Sequence, residues 1–163
     1  MVLALAARVA IPLPFSPVPV TGQTFAVLVL GATLGARRAP IAVLLYVAEA
    51  AAGLPVLAGG AAGLAAIVGP TGGYIAGFVA AAAILGLAAD RGLTRRIRTL
   101  VPALVLAELA IYAAGLAWLA RYPLPVPLLD AGFFPFVVGD LYKMLLAIIA
   151  IRGSAPFTAR LRR

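Results

Sequence analysis

Apolar runs broken only by proline, glycine and arginine follow one another along nearly the whole chain, and none leaves a broad polar face for water. They read as six helices over residues 1–11, 23–36, 40–53, 72–90, 97–121 and 134–152. Hydrophobic residues make up 64% of the sequence and the mean hydropathy is +1.13, against roughly 45–50% apolar content in soluble domains. A soluble fold of this length has too little interior to hide that surface. The sequence predicts an all-α polytopic membrane protein, a single membrane-embedded domain over residues 1–163. Several runs are shorter than the ~20 residues a perpendicular span needs. The first starts at Met1 and carries Arg8, so it reads as a clipped helix from a start site placed too late.

The basic residues set the orientation. Ten of the 13 lie at Arg37 and Arg38, in the linker 91–98 and in the tail 152–163, whereas the connections 12–22, 54–70 and 122–133 hold none. Alternate basic and neutral connections are what an even number of crossings with positive-inside bias produces. Both termini are therefore expected in the cytoplasm, in a cell (inner) membrane. Arginines distributed this way do not form the basic, aromatic-interleaved face of a nucleic-acid binder, despite a net charge of +8.

The neutral connections have their own chemistry. Pro12, Pro14, Pro17 and Pro19 make the first stiff and extended. The second carries Gly59, Gly60, Gly63 and Gly69, which permit close backbone approach. Apolar, uncharged and rigid, these loops read as a lid over the outer face. Gly31-x-x-x-Gly35, Gly73-x-x-x-Gly77 and Ala6-x-x-x-Ala10 have the small-residue spacing that lets helix backbones touch.

Reactive chemistry is nearly absent. Without cysteine or histidine there are no disulfides, no usual zinc ligands and no Ser–His mechanism. No phosphate-cradling glycine loop precedes the one lysine, so ATP hydrolysis by that route is excluded. No catalytic residue, metal site or cofactor is implied, and the carboxylates Glu49, Glu108 and Asp140 form no motif.

That lysine, Lys143, lies within an apolar run, three residues after Asp140. A charge at bilayer depth costs roughly 2.5–3.5 kcal/mol on insertion scales unless it is paired or faces a cavity. Residues at i and i+3 share a helix face. Gln23 opens the second helix and Tyr74 the fourth, both at outer ends, so these two residues, Asp140 and Lys143 are expected at one depth. A cation, an anion, an amide and a phenol suit a small, mostly apolar ligand with a carboxylate at one end and N–H donors at the other. The alternatives are a self-neutralising pair in a membrane scaffold, a cap or interface role for Gln23, and an interfacial belt aromatic at Tyr74.

Four segments in order, Val18-Pro-Val-Thr-Gly-Gln-Thr-Phe25, Gly53-Leu-Pro-Val-Leu-Ala-Gly-Gly60, Gly69-Pro-Thr-Gly-Gly-Tyr-Ile-Ala-Gly-Phe78 and Gly139-Asp-Leu-Tyr-Lys143, resemble the BioY family, the biotin-binding S components of energy-coupling factor transporters. The family pattern usually has an apolar residue where Gly22 stands and Phe where Leu57 stands. The resemblance implies biotin uptake, Asp140 as partner of the ureido ring and Lys143 as partner of the carboxylate. It also implies a transmembrane coupling subunit, two ATPase subunits, and an S component that topples in the bilayer to release its vitamin inside. A sister S component or a secondary carrier for another small carboxylated vitamin is the competing reading.

Overall fold

The structure is a computed structural model describing residues 1–161, with side chains described through Ser154. The end of the basic tail, 155–163, thus lies outside the described side chains. Helix α1 spans Val2–Arg8 and stops short of the expected residue 11. The reason is the proline run that follows. Pro12 and Pro14 push Ile11 and Leu13 toward extended geometry, and the chain forms strands β1 (Ala10–Leu13) and β2 (Ser16–Thr21) instead. They pair antiparallel, Ala10 opposite Thr21 and Leu13 opposite Ser16, with an irregularity between Ile11 and Leu13 where Pro12 lacks a donor. The fold is thus mostly helical with one β-hairpin, and Ala6 and Ala10 do not share a helix.

Helix α2 spans Gln23–Ala51, uniting the two helices expected at 23–36 and 40–53. Its continuity is interrupted at Gly35, whose φ of 86° and ψ of 174° lie outside helical values. The chain doubles back there. Gln23, well before the break, donates from Nε2 to the Tyr46 hydroxyl, well after it, at 2.7 Å, so the halves 23–34 and 36–51 lie side by side. No turn residues are needed because Asp90 accepts from the Ala36 backbone N–H at 2.9 Å, capping the second half at once. Arg37 and Arg38 therefore fall inside the second half-helix, and not in a loop. Any side chain at position 35 would meet both the unfavourable φ and the Asp90 carboxylate.

A loop then leads through α3 (Gly63–Ile67) to α4 (Gly72–Asp90), α5 (Ile97–Leu119), α6 (Leu128–Gly132) and α7 (Phe134–Leu161). Helix α4 is the centre of the bundle, packed between α2 and α5. Small residues set the spacing. A Cβ on Gly31 would sit 2.8 Å from the Leu85 Cβ, one on Gly77 2.7 Å from the Ile111 Cα, and one on Gly86 2.7 Å from the Ala36 backbone. Gly73 likewise faces Ala114 and Trp118, so the expected close packing at 73 and 77 joins α4 to α5.

Four stretches are long and apolar enough to cross a membrane: Gln23–Ala51, Gly72–Asp90, Ile97–Leu119 and Leu128–Ser154. With α2 folded on itself and α1 at the edge, these make the six helical segments of the sequence reading. Polarity is inverted relative to a soluble bundle. On α7, Val138, Leu141, Leu145 and Ile149 are exposed while Asp140 is buried. The chain is a multi-pass membrane protein.

Candidate ligand-binding cavity

A cavity of about 380 Å³ opens among the ends of α2, α4, α5 and α7 beneath the two neutral connections. The walls are mostly apolar, with Ile75, Phe78, Ile111 and Phe136 contributed by three helices. The roof has two parts. Pro17 to Thr21 of the β-hairpin cover one side, and Leu57, Ala58, Ala61, Gly69 and Pro70 of the long loop cover the other. The segments expected to form a lid therefore border the cavity.

The roof is pinned from below. Tyr46 donates its hydroxyl to the Val56 carbonyl at 2.9 Å, and Arg8 donates to the Pro55 carbonyl at 3.0 Å. Trp118 Nε1 donates to the Gly69 carbonyl at 3.0 Å and the Tyr122 hydroxyl to the Val68 carbonyl at 2.5 Å. Ser16 fastens the hairpin to α6 through the Ala131 carbonyl at 2.5 Å. Arg8, expected within a span, is thus the terminal residue of α1 and reaches the loop. Leu57, where the family pattern has Phe, is buried in the roof. Gly22 also has a packing reason, since a Cβ there would stand 2.9 Å from the Ala6 carbonyl oxygen of α1.

Asp140, Lys143, Gln23 and Tyr74 all line this cavity. Their helices explain the convergence: Gln23 and Tyr74 sit in the first turns of α2 and α4, and Asp140 lies near the start of α7. Asp140 is 6% exposed and forms the polar corner. Its Oδ1 accepts from Lys143 Nζ at 2.9 Å and from Thr24 Oγ1 at 3.2 Å, and its Oδ2 accepts from the Tyr112 hydroxyl. Lys143 and Asp140 thus form an ion pair along one helix turn. Three donors on a carboxylate with about four acceptor positions leave one for a guest.

The other two residues are more committed than their side chains alone suggest. Tyr74 is 8% exposed, donates to the Gly132 carbonyl at 2.7 Å and lays its ring against Gly115. It is a cavity wall and not an interfacial belt residue. Gln23 spends its NH₂ on Tyr46, which in turn holds Val56, so its amide links the floor to the roof and keeps a carbonyl oxygen as acceptor. Sequence reasoning passed over Thr24 and Tyr112. For Thr24 no signal distinguishes a helix-start threonine from an ordinary cap. For Tyr112 one existed: Glu108 and Tyr112 place two polar groups at i, i+4 on an otherwise apolar helix.

Comparison with known proteins places this architecture. The family model described as "BioY family" matches residues 1–160. A protein of Rhizobium etli named biotin transporter BioY is 35% identical, over 95% of this chain and 86% of its own length. One of Pyrococcus horikoshii, named probable biotin transporter BioY, is 40% identical over 85% of this chain and 82% of its own. The crystal structure of the S-component for biotin from an ECF-type ABC transporter superposes with a TM-score of 0.81. It is 28% identical and covers 98% of this chain and 84% of that one. Sequence over nearly the full length and fold agree: the chain belongs to the BioY family.

Proposed function

We propose that this chain takes up biotin as the substrate-capturing S component of an energy-coupling factor transporter, receiving the vitamin from the outer side of the membrane. The observation that carries the reading is the roofed apolar cavity whose one charged corner is Asp140 with Lys143. Biotin has an apolar bicycle and chain, two ureido N–H donors at one end and a carboxylate at the other. The cavity offers apolar walls, an anion and a cation.

Capture is an exchange of partners. A ureido N–H takes a position on Asp140, and Lys143 moves its ammonium from Asp140 to the ligand carboxylate. Thr24 and Tyr112 keep the Asp140 carboxylate oriented meanwhile. Lys143 then has a carboxylate partner before and after binding, and Asp140 exchanges its cation for a ureido donor while keeping those from Thr24 and Tyr112, so neither is left without a partner in the apolar slab. Gln23 contributes its carbonyl oxygen and Tyr74 its ring. Energy comes from other subunits, because the chain has no phosphate-cradling loop of its own. Its partners on this reading are a transmembrane coupling subunit and two ATPase subunits, and the chain itself catalyses no reaction.

The test is calorimetric titration of the purified protein with biotin. Wild type is expected to bind tightly, and Lys143→Met to lose binding while still folded in detergent. Unchanged affinity in that variant would return the Asp140–Lys143 pair to a structural role.

A further inference from the structure

Glu108 stands apart from every role assigned above. It is 5% exposed in the middle of α5, and neither carboxylate oxygen has a hydrogen-bond partner among the described residues. A buried carboxylate without a donor is among the least favourable groups a membrane interior can hold. A carboxylic acid in the same place carries no charge. Glu108 also has informative neighbours. Tyr112 lies one turn along the same helix, with its hydroxyl given to Asp140. The charged groups acting on Glu108 are Asp140 and Lys143 from α7. From α4 comes the uncharged Tyr74, set against Tyr112, and from α2 the uncharged Thr24 on Asp140.

We propose that Glu108 is a proton site behind the cavity, holding its proton while an anionic ligand is bound, so that ligand capture is linked to one proton. The inference rests on the biotin reading for the ligand's charge and on the Glu108–Tyr112–Asp140–Lys143 cluster for its geometry. Charge counting gives the sign. Asp140 and Lys143 cancel when the cavity is empty, and a ligand carboxylate adds one negative charge beside a single ammonium. An ionised Glu108 would add a second. The ligand therefore favours the protonated acid, and by reciprocity the protonated acid favours the ligand. Affinity for an anionic ligand is greatest while Glu108 holds its proton. It falls as pH rises through the titration of that group, by at most about tenfold per pH unit.

Glu108→Gln keeps the shape of the protonated acid and removes the titration. Two measurements on the intact chain decide the matter. In the infrared difference spectrum of wild type minus Glu108→Gln without ligand, a carbonyl band of a protonated carboxyl is expected near neutral pH; its absence overturns the proposal. In calorimetric titrations with biotin from about pH 6 to about pH 9.5, wild-type affinity is expected to decline at the alkaline end while Glu108→Gln stays flat. A flat wild-type profile, or a parallel decline in both proteins, also overturns it. If wild type binds no biotin at any pH, the biotin reading falls, and the infrared band alone decides where the proton is.

Discussion

Asp140 has more donors than an ion pair requires, and that surplus supports the proposed ligand site over a self-neutralising couple. A pair whose only task was to cancel its own charge needs no threonine from α2 and no tyrosine from α5. Here both converge on the carboxylate, from helices far apart in sequence. Tyr112→Phe removes one donor to a charged acceptor, an interaction of about 1.5–3 kcal/mol. Because that bond is present before and after capture, only the lost orientation of Asp140 weakens binding, and biotin affinity is expected to drop severalfold, read by calorimetry, with the fold retained. An unaltered Kd would mean that the orientation of Asp140 does not limit binding. At this scale the sequence was most informative where a residue type was rare. One lysine, one glutamine and few acids made Lys143, Gln23 and Asp140 stand out, whereas threonine is commonplace at helix starts and gave Thr24 no prominence, and Tyr112 was marked only by its spacing from Glu108 on an apolar helix.

Among the elements, the reversal of α2 at Gly35 and the spacing of α4 from its neighbours are the most exacting. Gly35→Ala has to adopt a left-handed φ and displace the Asp90 cap at once, a strain of about 1–3 kcal/mol. A lower melting temperature in detergent is the expected result. Gly139→Ala is the matched control, because a Cβ there meets only Val20 at 4.0 Å; it is expected to be neutral or to stabilise by roughly 0.5–1 kcal/mol. Equal melting temperatures for the two variants would contradict the reversal as described. Helix identity was largely legible from apolar runs and their punctuation. Boundaries were less so, because two of them depend on partners outside the helix concerned. Asp90 lets the second half of α2 restart without a loop, and the prolines that end α1 find a strand partner in Ser16–Thr21.

Taken whole, the molecule is a bundle with its polar groups turned inward, roofed by connections that carry no charge. Closure of that roof over a bound ligand is an expected outcome that can be measured. The chain contains no cysteine, so a single one placed at Ala61, exposed and on the cavity rim, reports on the roof without background. Its reaction with a maleimide is expected to slow severalfold when biotin is present. Identical rates with and without the vitamin would show that the loop does not close over it. Loop composition singled out segments that border the cavity, but the pins could not be read beforehand. Arg8, Tyr46, Trp118 and Tyr122 reach the loop from three helices or their ends, and nothing local in sequence pairs them with it.

Those pins grip main-chain oxygens at Pro55, Val56, Val68 and Gly69 and leave the loop's own side chains unclaimed by the fastening. Selectivity and anchorage are therefore separable. Ala58 and Ala61, which line the cavity without being buried, are open to redesign in bulk or polarity, to admit a ligand of altered outline, while the scaffold that holds their backbone goes on recognising it as before.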